Sequence, residues 1–320
     1  MAKIITVGAG VQDVFLSQSD ALKPVCESPE RCFAKLELGA KADVNQIHFS
    51  TGGGAMNAAV TFARQGHEVM FLGVVGRDPA GQAVLDDLDV ENVDTRYVRF
   101  SQKYNTGYSV LLLAPNGERT ILTYRGASTH YHAADFTVAD VEADWLYAST
   151  LAGQMTVLDK VFREARAAGM KICFNPGKRE LVQRDKLMGL LDDVEVLALN
   201  KEEMQQLVPG DDLEQLVRRA KELVPVVLLT DGVNGSMASD GVTIVRAAMY
   251  EDVPAIDRTG AGDAFASGFL SQWAYGAQLR DAVVFASANS SSVVNHIGAK
   301  TGILYQGARL HAMPLSEKEF

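Results

Sequence analysis

Trp145-Leu146-Tyr147-Ala148 opens a stretch in which short apolar runs alternate with helix-patterned segments up to residue 230. A helical pattern over residues 157–168 precedes the runs Lys171-Ile172-Cys173-Phe174 and Val194-Glu195-Val196-Leu197-Ala198-Leu199. A second helical pattern over residues 213–223 then leads to Val226-Val227-Leu228-Leu229-Thr230. Apolar runs this short read as strands buried on both faces. Parallel strands need crossover connections, which helices supply, so the alternation predicts an α/β fold with a mainly parallel central sheet and helices on both faces. Ligands of such sheets gather beyond the carboxyl ends of the strands. Asn175, Asn200, Thr230 and Asp231 fall just past predicted strands, as does Asp13, and the five are expected to line one crevice.

Working outward toward the N-terminus, Lys3–Val7 reads as a buried strand that runs into Gly8-Ala9-Gly10-Val11-Gln12-Asp13. Gly8 and Gly10 begin a dinucleotide-type motif, but its sixth position is Asp13 and residues 14–17 show no helical pattern, so the motif is incomplete. Gly52-Gly53-Gly54 opens a helix over residues 55–65, with Gly66 as its C-cap. Residues 69–75 then read as a strand and 80–88 as a helix. The β-formers at residues 33–38 and 47–49 suggest strands outside the main sheet. So does a hairpin of residues 107–113 and 119–125 turning at Pro115-Asn116-Gly117-Glu118. Together they are expected to form one small second sheet.

Toward the C-terminus lies Asp257-Arg258-Thr259-Gly260-Ala261-Gly262-Asp263-Ala264-Phe265, a turn of small residues feeding a helix over residues 264–275. Such a turn leaves backbone N–H groups unpaired at the positive end of the helix dipole, where they hold an anion. Gly260 and Gly262 keep side chains out of its way, and the Asp263 carboxylate beside it can accept a hydroxyl proton. An acceptor base next to an anion hole points to phosphoryl transfer to an alcohol. Asp263 as a plain helix N-cap is the competing reading.

Residues 257–270, DRTGAGDAFASGFL, resemble the C-terminal signature of the ribokinase/PfkB family of carbohydrate and nucleoside kinases, and Thr51-Gly52-Gly53-Gly54-Ala55-Met56-Asn57-Ala58-Ala59 resembles its N-terminal one. The two stand in the family's order, about 200 residues apart. The resemblance implies a ribokinase-like three-layer α/β/α core, residues 1–12, 51–98 and 127–320, with a β-sheet lid, residues 13–50 and 99–126. It implies Asp263 as the base, with the Gly260, Ala261 and Gly262 backbone around the transferring group. Asp13, Gly52, Gly53 and Asn57 would hold the acceptor's hydroxyls, and Arg125 resembles an arginine that meets the carboxylate of keto-acid sugars, with a phosphate contact or a place only at the lid's rim as equal alternatives. Asn200 and Glu203 match an Asn-x-x-Glu motif that holds hydrated Mg²⁺ near the phosphates, although the same pair also makes a capping-box pattern. Thr230, Gly232 and Gly235 match the ATP-side loop, and Asn289, in the predicted helix Leu279–Val294, is a candidate adenine contact. Some members bind a monovalent cation at the positions matched by Asp257 and Thr259, which makes K⁺ a candidate activator. One position departs from the family: Arg258 stands where Thr is usual, and its guanidinium can either stabilise charge on the transferring phosphoryl group or reach solvent or a loop ion pair; the second reading is favoured, because Thr259, Gly260 and Gly262 already satisfy the anion-hole pattern.

The implied function is an ATP-dependent kinase acting on a sugar hydroxyl, with a nucleoside as the second choice of acceptor and a non-catalytic sugar or nucleotide sensor as a more distant alternative. The 320 residues, 47% hydrophobic and 22% charged, suit one large α/β unit with an appendage. A net charge of −10 argues against nucleic-acid and anionic-membrane surfaces. No apolar run is long enough to span a bilayer, and Met1-Ala2-Lys3 leads straight into a strand, so a cytoplasmic protein is expected. Cys26, Cys32 and Cys173 lack zinc-site pairing and are expected as reduced thiols. A homodimer through the lid is compatible with the sequence. No P-loop GxxxxGK[ST] occurs.

Overall fold

The parallel strands predicted between residues 145 and 230 belong to one sheet in the computed structural model, which describes residues 1–28, 31–115, 119–250 and 256–320. From one edge the order is Glu68–Leu72, Lys3–Val7, Trp145–Ala148, Lys171–Phe174, Val196–Asn200 and Val226–Thr230, all parallel. Ser236–Ser239, Thr243–Ala247 and Leu315–Glu319 continue the sheet antiparallel.

The two-residue period of the strands divides their apolar side chains between two cores. Ile4, Phe71, Tyr147, Cys173 and Leu228 face the helices Gly54–Arg64, Ala261–Trp273 and Leu279–Val294. Ile5, Leu72, Leu146, Phe174 and Leu229 face Met155–Ala167, Arg184–Leu191 and Leu213–Ala220. Burial on both faces explains why the strands read as continuous apolar runs. Small residues bring the helices of the first layer together: a Cβ on Gly268 would stand 3.2 Å from Ala286 Cα, and the Ser267 hydroxyl donates to Thr61 Oγ1 at 2.9 Å.

The second sheet runs Arg119–Tyr124, Gly107–Leu113, Val11–Ser17 and Gln46–Gly52. Residues 14–17, which carried no helical pattern, are the last part of its strand Val11–Ser17, so Asp13 lies inside a strand rather than past one. The chain leaves the central sheet at Gly8, and its β-forming residues pair with Gln46–Gly52 instead of turning into a helix. Of the expected 33–38 segment only Phe33 lies in a strand, Arg31–Phe33, which pairs with Val25–Ser28 in a separate two-stranded unit. The expected strand over residues 69–75 breaks at Gly73, and Val74–Gly76 pairs with Arg99–Ser101. Positions 116–118 of the expected hairpin turn lie outside the described residues.

The expectation of three reduced thiols is corrected: Cys26 and Cys32 are directly opposite one another, Cα atoms 3.9 Å apart, and form a disulfide, while Cys173 is free and buried. Cross-strand register, not sequence spacing, brings the pair into range. Among the described residues no helix is long and apolar enough to cross a membrane.

Candidate active site

The helix Ala261–Trp273 starts at Gly260, whose φ of +79° is a left-handed value that favours glycine. No side chain caps this helix; Ala261 N–H donates to Arg258 O at 3.4 Å, and the N–H groups that follow it in the first turn remain for a ligand. Asp263 lies inside the first turn, which removes the N-cap reading, and its Oδ2 accepts a 2.8 Å hydrogen bond from Asn57 Nδ2 on the neighbouring helix Gly54–Arg64. Burial raises the Asp263 pKa above the ordinary aspartate value, and the Asn57 bond offsets part of that rise.

Asn57 is buried, and its Oδ1 has no hydrogen-bond partner among the described residues. An orphaned buried acceptor beside a buried carboxylate calls for a donor from outside the protein. Next to it, a Cβ on Gly52 would stand 2.6 Å from Asp13 Oδ2 and 3.9 Å from Asn57 Oδ1, so both oxygens flank the same glycine. Asp13 is buried, and desolvation raises its pKa against the lowering effects of the Ser109 hydrogen bond and the Lys300 charge.

A cleft of about 370 Å³ opens over Asp263, lined by Gly260, Ala261, Gly262, Asn200, Glu203 and Thr230 among others. Glu203 Oε2 accepts from the Asn200 N–H at 3.0 Å, and Asn200 Oδ1 accepts from the Glu203 N–H at 2.9 Å, the capping-box arrangement. Burial is the main cause of a raised Glu203 pKa, and the Asp263 charge adds to it. Two carboxylates therefore share the cleft, and a divalent cation near them would relieve the cost of their ionisation. A second cavity of about 540 Å³ adjoins the first and is lined by Gly232, Gly235, Val233, Met249, Tyr250 and Val294 among others.

Most of the sequence-selected residues thus converge, but Asn289 does not. Its side chain is fully buried, with Nδ2 donating to Ala264 O at 2.8 Å and Oδ1 accepting from Leu304 N at 2.9 Å, so it pins two segments together and lines neither cavity. From the same helix, Ser287, Ser290, Ser291 and Val294 line the second cavity, a spacing of three and four residues legible in the sequence. Arg125 is exposed at the end of the second sheet and lines neither cavity.

The Asp257 carboxylate is buried and engaged. Oδ1 accepts from Thr259 N at 3.0 Å and Thr259 Oγ1 at 2.7 Å, and Oδ2 accepts from Gly298 N at 3.1 Å. Arg119 Nη1, from the second sheet, stands 3.6 Å from Oδ1. This ion pair ties the second sheet to the turn that leads into the helix Ala261–Trp273. Arg119→Ala is expected to cost about 1–2 kcal/mol of stability, since Asp257 stays buried without its cation, and a urea unfolding midpoint reads the loss.

Arg258 was expected in solvent or an ion pair; it is exposed, but it lines both cavities and has no side-chain partner among the described residues. Sequence reading also missed Ser149 and Thr150, which line the cleft immediately past the strand Trp145–Ala148, the same strand-end signal that singled out Asn175. Their loop is held by Glu180, a fully buried carboxylate that accepts from Thr150 Oγ1, Leu151 N, Gly153 N and Gly177 N at 2.7–3.1 Å.

Comparison with known proteins gives a match of residues 29–304 to the family described as pfkB family carbohydrate kinase. The chain is 28% identical over 280 residues to the probable fructokinase-7 of Arabidopsis thaliana, covering 78% of this chain and 79% of that protein. It is 28% identical over 263 residues to a ribokinase of Haemophilus influenzae, covering 79% and 83%. The solved structure of an Arabidopsis thaliana ribokinase complexed with ribose and ATP superimposes with a TM-score of 0.75 at 22% identity, covering 94% of this chain and 95% of that one.

Proposed function

The chain belongs to the pfkB family of carbohydrate kinases, phosphotransferases with an alcohol acceptor, and on that premise we propose that it transfers the γ-phosphoryl group of ATP to a primary hydroxyl of a small sugar. The observation that carries this reading is the joining of base and acceptor shelf. Asp263 is hydrogen-bonded to Asn57, and the unpartnered Oδ1 of Asn57 lies with Asp13 Oδ2 around Gly52. A polyol offers several O–H donors at the spacing of adjacent carbons, which suits acceptors clustered in this way.

In the reaction the sugar hydroxyl oxygen attacks the γ-phosphorus, its proton passes to an Asp263 oxygen, and the bond from the γ-phosphorus to the bridging oxygen breaks to release ADP. The first-turn N–H groups of Gly260–Gly262 stabilise charge on the equatorial oxygens. Thr230, Gly232 and Gly235 belong to the nucleotide side, where all three line the larger cavity with apolar residues suited to a base. Among the described residues no three His, Cys, Asp or Glu side chains cluster as metal ligands. Glu203 and Asn200 suit a Mg²⁺ ion held through water near the phosphates, as this ion retains much of its hydration shell. When bound, Mg²⁺ neutralises phosphate charge.

The test is ADP release from Mg·ATP with ribose, fructose, 2-keto-3-deoxygluconate, fructose 6-phosphate, adenosine, cytidine and inosine, with and without potassium. One dominant sugar is expected. A dominant nucleoside would overturn the acceptor class, and ATP binding with silence across the panel would favour a sensor.

A further inference from the structure

We propose that Arg258 is a catalytic residue that contacts the β- and γ-phosphoryl oxygens of the nucleotide during transfer. The proposal rests on the kinase reading above and assigns the departure from the family signature a place in the reaction.

Five residues line both cavities: Thr230, Arg258, Ala261, Gly262 and Phe265. The larger cavity has apolar walls from Val233, Met249, Tyr250 and Val294, and the smaller one holds Asp263, Glu203 and the helix start. A ligand with a flat apolar ring at one end and a polyanion at the other has to cross the seam these five residues form. Arg258 carries the seam's charge. It is also the sole Lys or Arg among the described residues lining either cavity, whereas Asp263 and Glu203 supply two carboxylates.

Among the described residues no side chain takes up its guanidinium. The adjoining Asp257 carboxylate is taken by Thr259, Gly298 and Arg119, and Asp263 Oδ2 is taken by Asn57. In a chain of net charge −10, an arginine without a side-chain partner among the described residues, at the seam of two adjoining cavities, is matched to an anion supplied from outside. Guanidinium presents a planar fork of donors that two phosphate oxygens accept together, and it keeps its proton throughout. Arg258 therefore takes neither the proton, which goes to Asp263, nor the electron pair, which leaves on the bridging oxygen of ADP. Its hydrogen bonds offset charge on the phosphoryl oxygens, and by following Asp257 it is tied to the same turn as the backbone cradle.

The test compares the full-length wild type with Arg258→Ala and Arg258→Lys by calorimetric titration with Mg·ATP, Mg·ADP and AMP, alongside steady-state kinetics with the acceptor from the panel. Arg258→Ala is expected to bind ATP and ADP about tenfold more weakly, to change AMP affinity less than twofold, and to lose about 100-fold in kcat. Arg258→Lys should recover part of the ATP affinity, since it returns the charge without the fork. Wild-type affinity for all three nucleotides together with wild-type kcat would overturn the proposal. An equal loss for AMP and ATP would also overturn it, because that pattern signals a damaged pocket rather than a lost phosphate contact. If the wild type releases no ADP with any acceptor, the kinase reading fails by itself, and the nucleotide series still decides whether Arg258 meets the phosphates.

Discussion

Asp263→Asn is expected to lower kcat/KM by about 10²–10⁴-fold, the usual contribution of a positioned general base, while nucleotide binding survives. The substitution keeps an acceptor for the 2.8 Å bond from Asn57 Nδ2, so the shelf beside it stays in place. Stability should move in the opposite direction. The folded-state pKa of Asp263 is raised above its ordinary value of 3.8, chiefly by burial. Its protonated form is therefore favoured by folding, and the associated stability is present below the unfolded pKa and lost as pH rises through the folded pKa. At neutral pH the charged carboxylate opposes folding, and Asn, which never ionises, should leave the protein as stable or more so. The same shift sets the pH profile. The acid limb of wild-type kcat/KM is expected to lie above the ordinary aspartate range, with Glu203 titrating in the same cleft, and Asp263→Asn should flatten it. An Asn variant with wild-type turnover would remove Asp263 from the role of base.

Gly53→Ala is expected to destabilise the fold by about 3 kcal/mol or more, read from the urea midpoint. Gly53 has φ of +105°, and a Cβ there would stand 2.2 Å from the Ala9 carbonyl oxygen and 2.8 Å from its carbon. Those are backbone atoms at the exit of the first strand and cannot swing aside as a flexible side chain would. Because Gly53 is the N-cap of the helix carrying Asn57, a surviving variant should also lose acceptor affinity. Gly262→Ala is the contrast: among the described residues, nothing beyond its chain neighbours and its own helix backbone lies within 4 Å of its would-be Cβ, so stability should hold, and any loss of turnover reports on phosphate access to the helix start. Equal stability of Gly53→Ala and wild type would show that the contact with Ala9 relaxes at no cost.

The parallel sheet was legible because its strands are buried on both faces, and runs such as Val226–Thr230 follow directly from that. Val11–Ser17 was harder to read, since a glycine turn precedes it and its pairing partners lie far along the chain, at Gln46–Gly52 and Gly107–Leu113. Asp263, Asn57, Asp13 and Glu203 could be chosen from local chemistry and from resemblance to family signatures. Asn289 was chosen on the same grounds, yet it turns inward, because which face of a helix meets a cavity depends on what packs against it.

From the sequence alone come the α/β layering, the small-residue helix start at Gly260–Gly262 and the carboxylate of Asp263 beside it, because these rest on local periodicity, glycine content and residue type. Tertiary structure alone decided the Cys26–Cys32 disulfide, the tie between Arg119 and Asp257, and the seat of Arg258 between two cavities. Those features depend on strand register and on segments brought together from distant parts of the chain, and neither is encoded in the spacing of neighbouring residues.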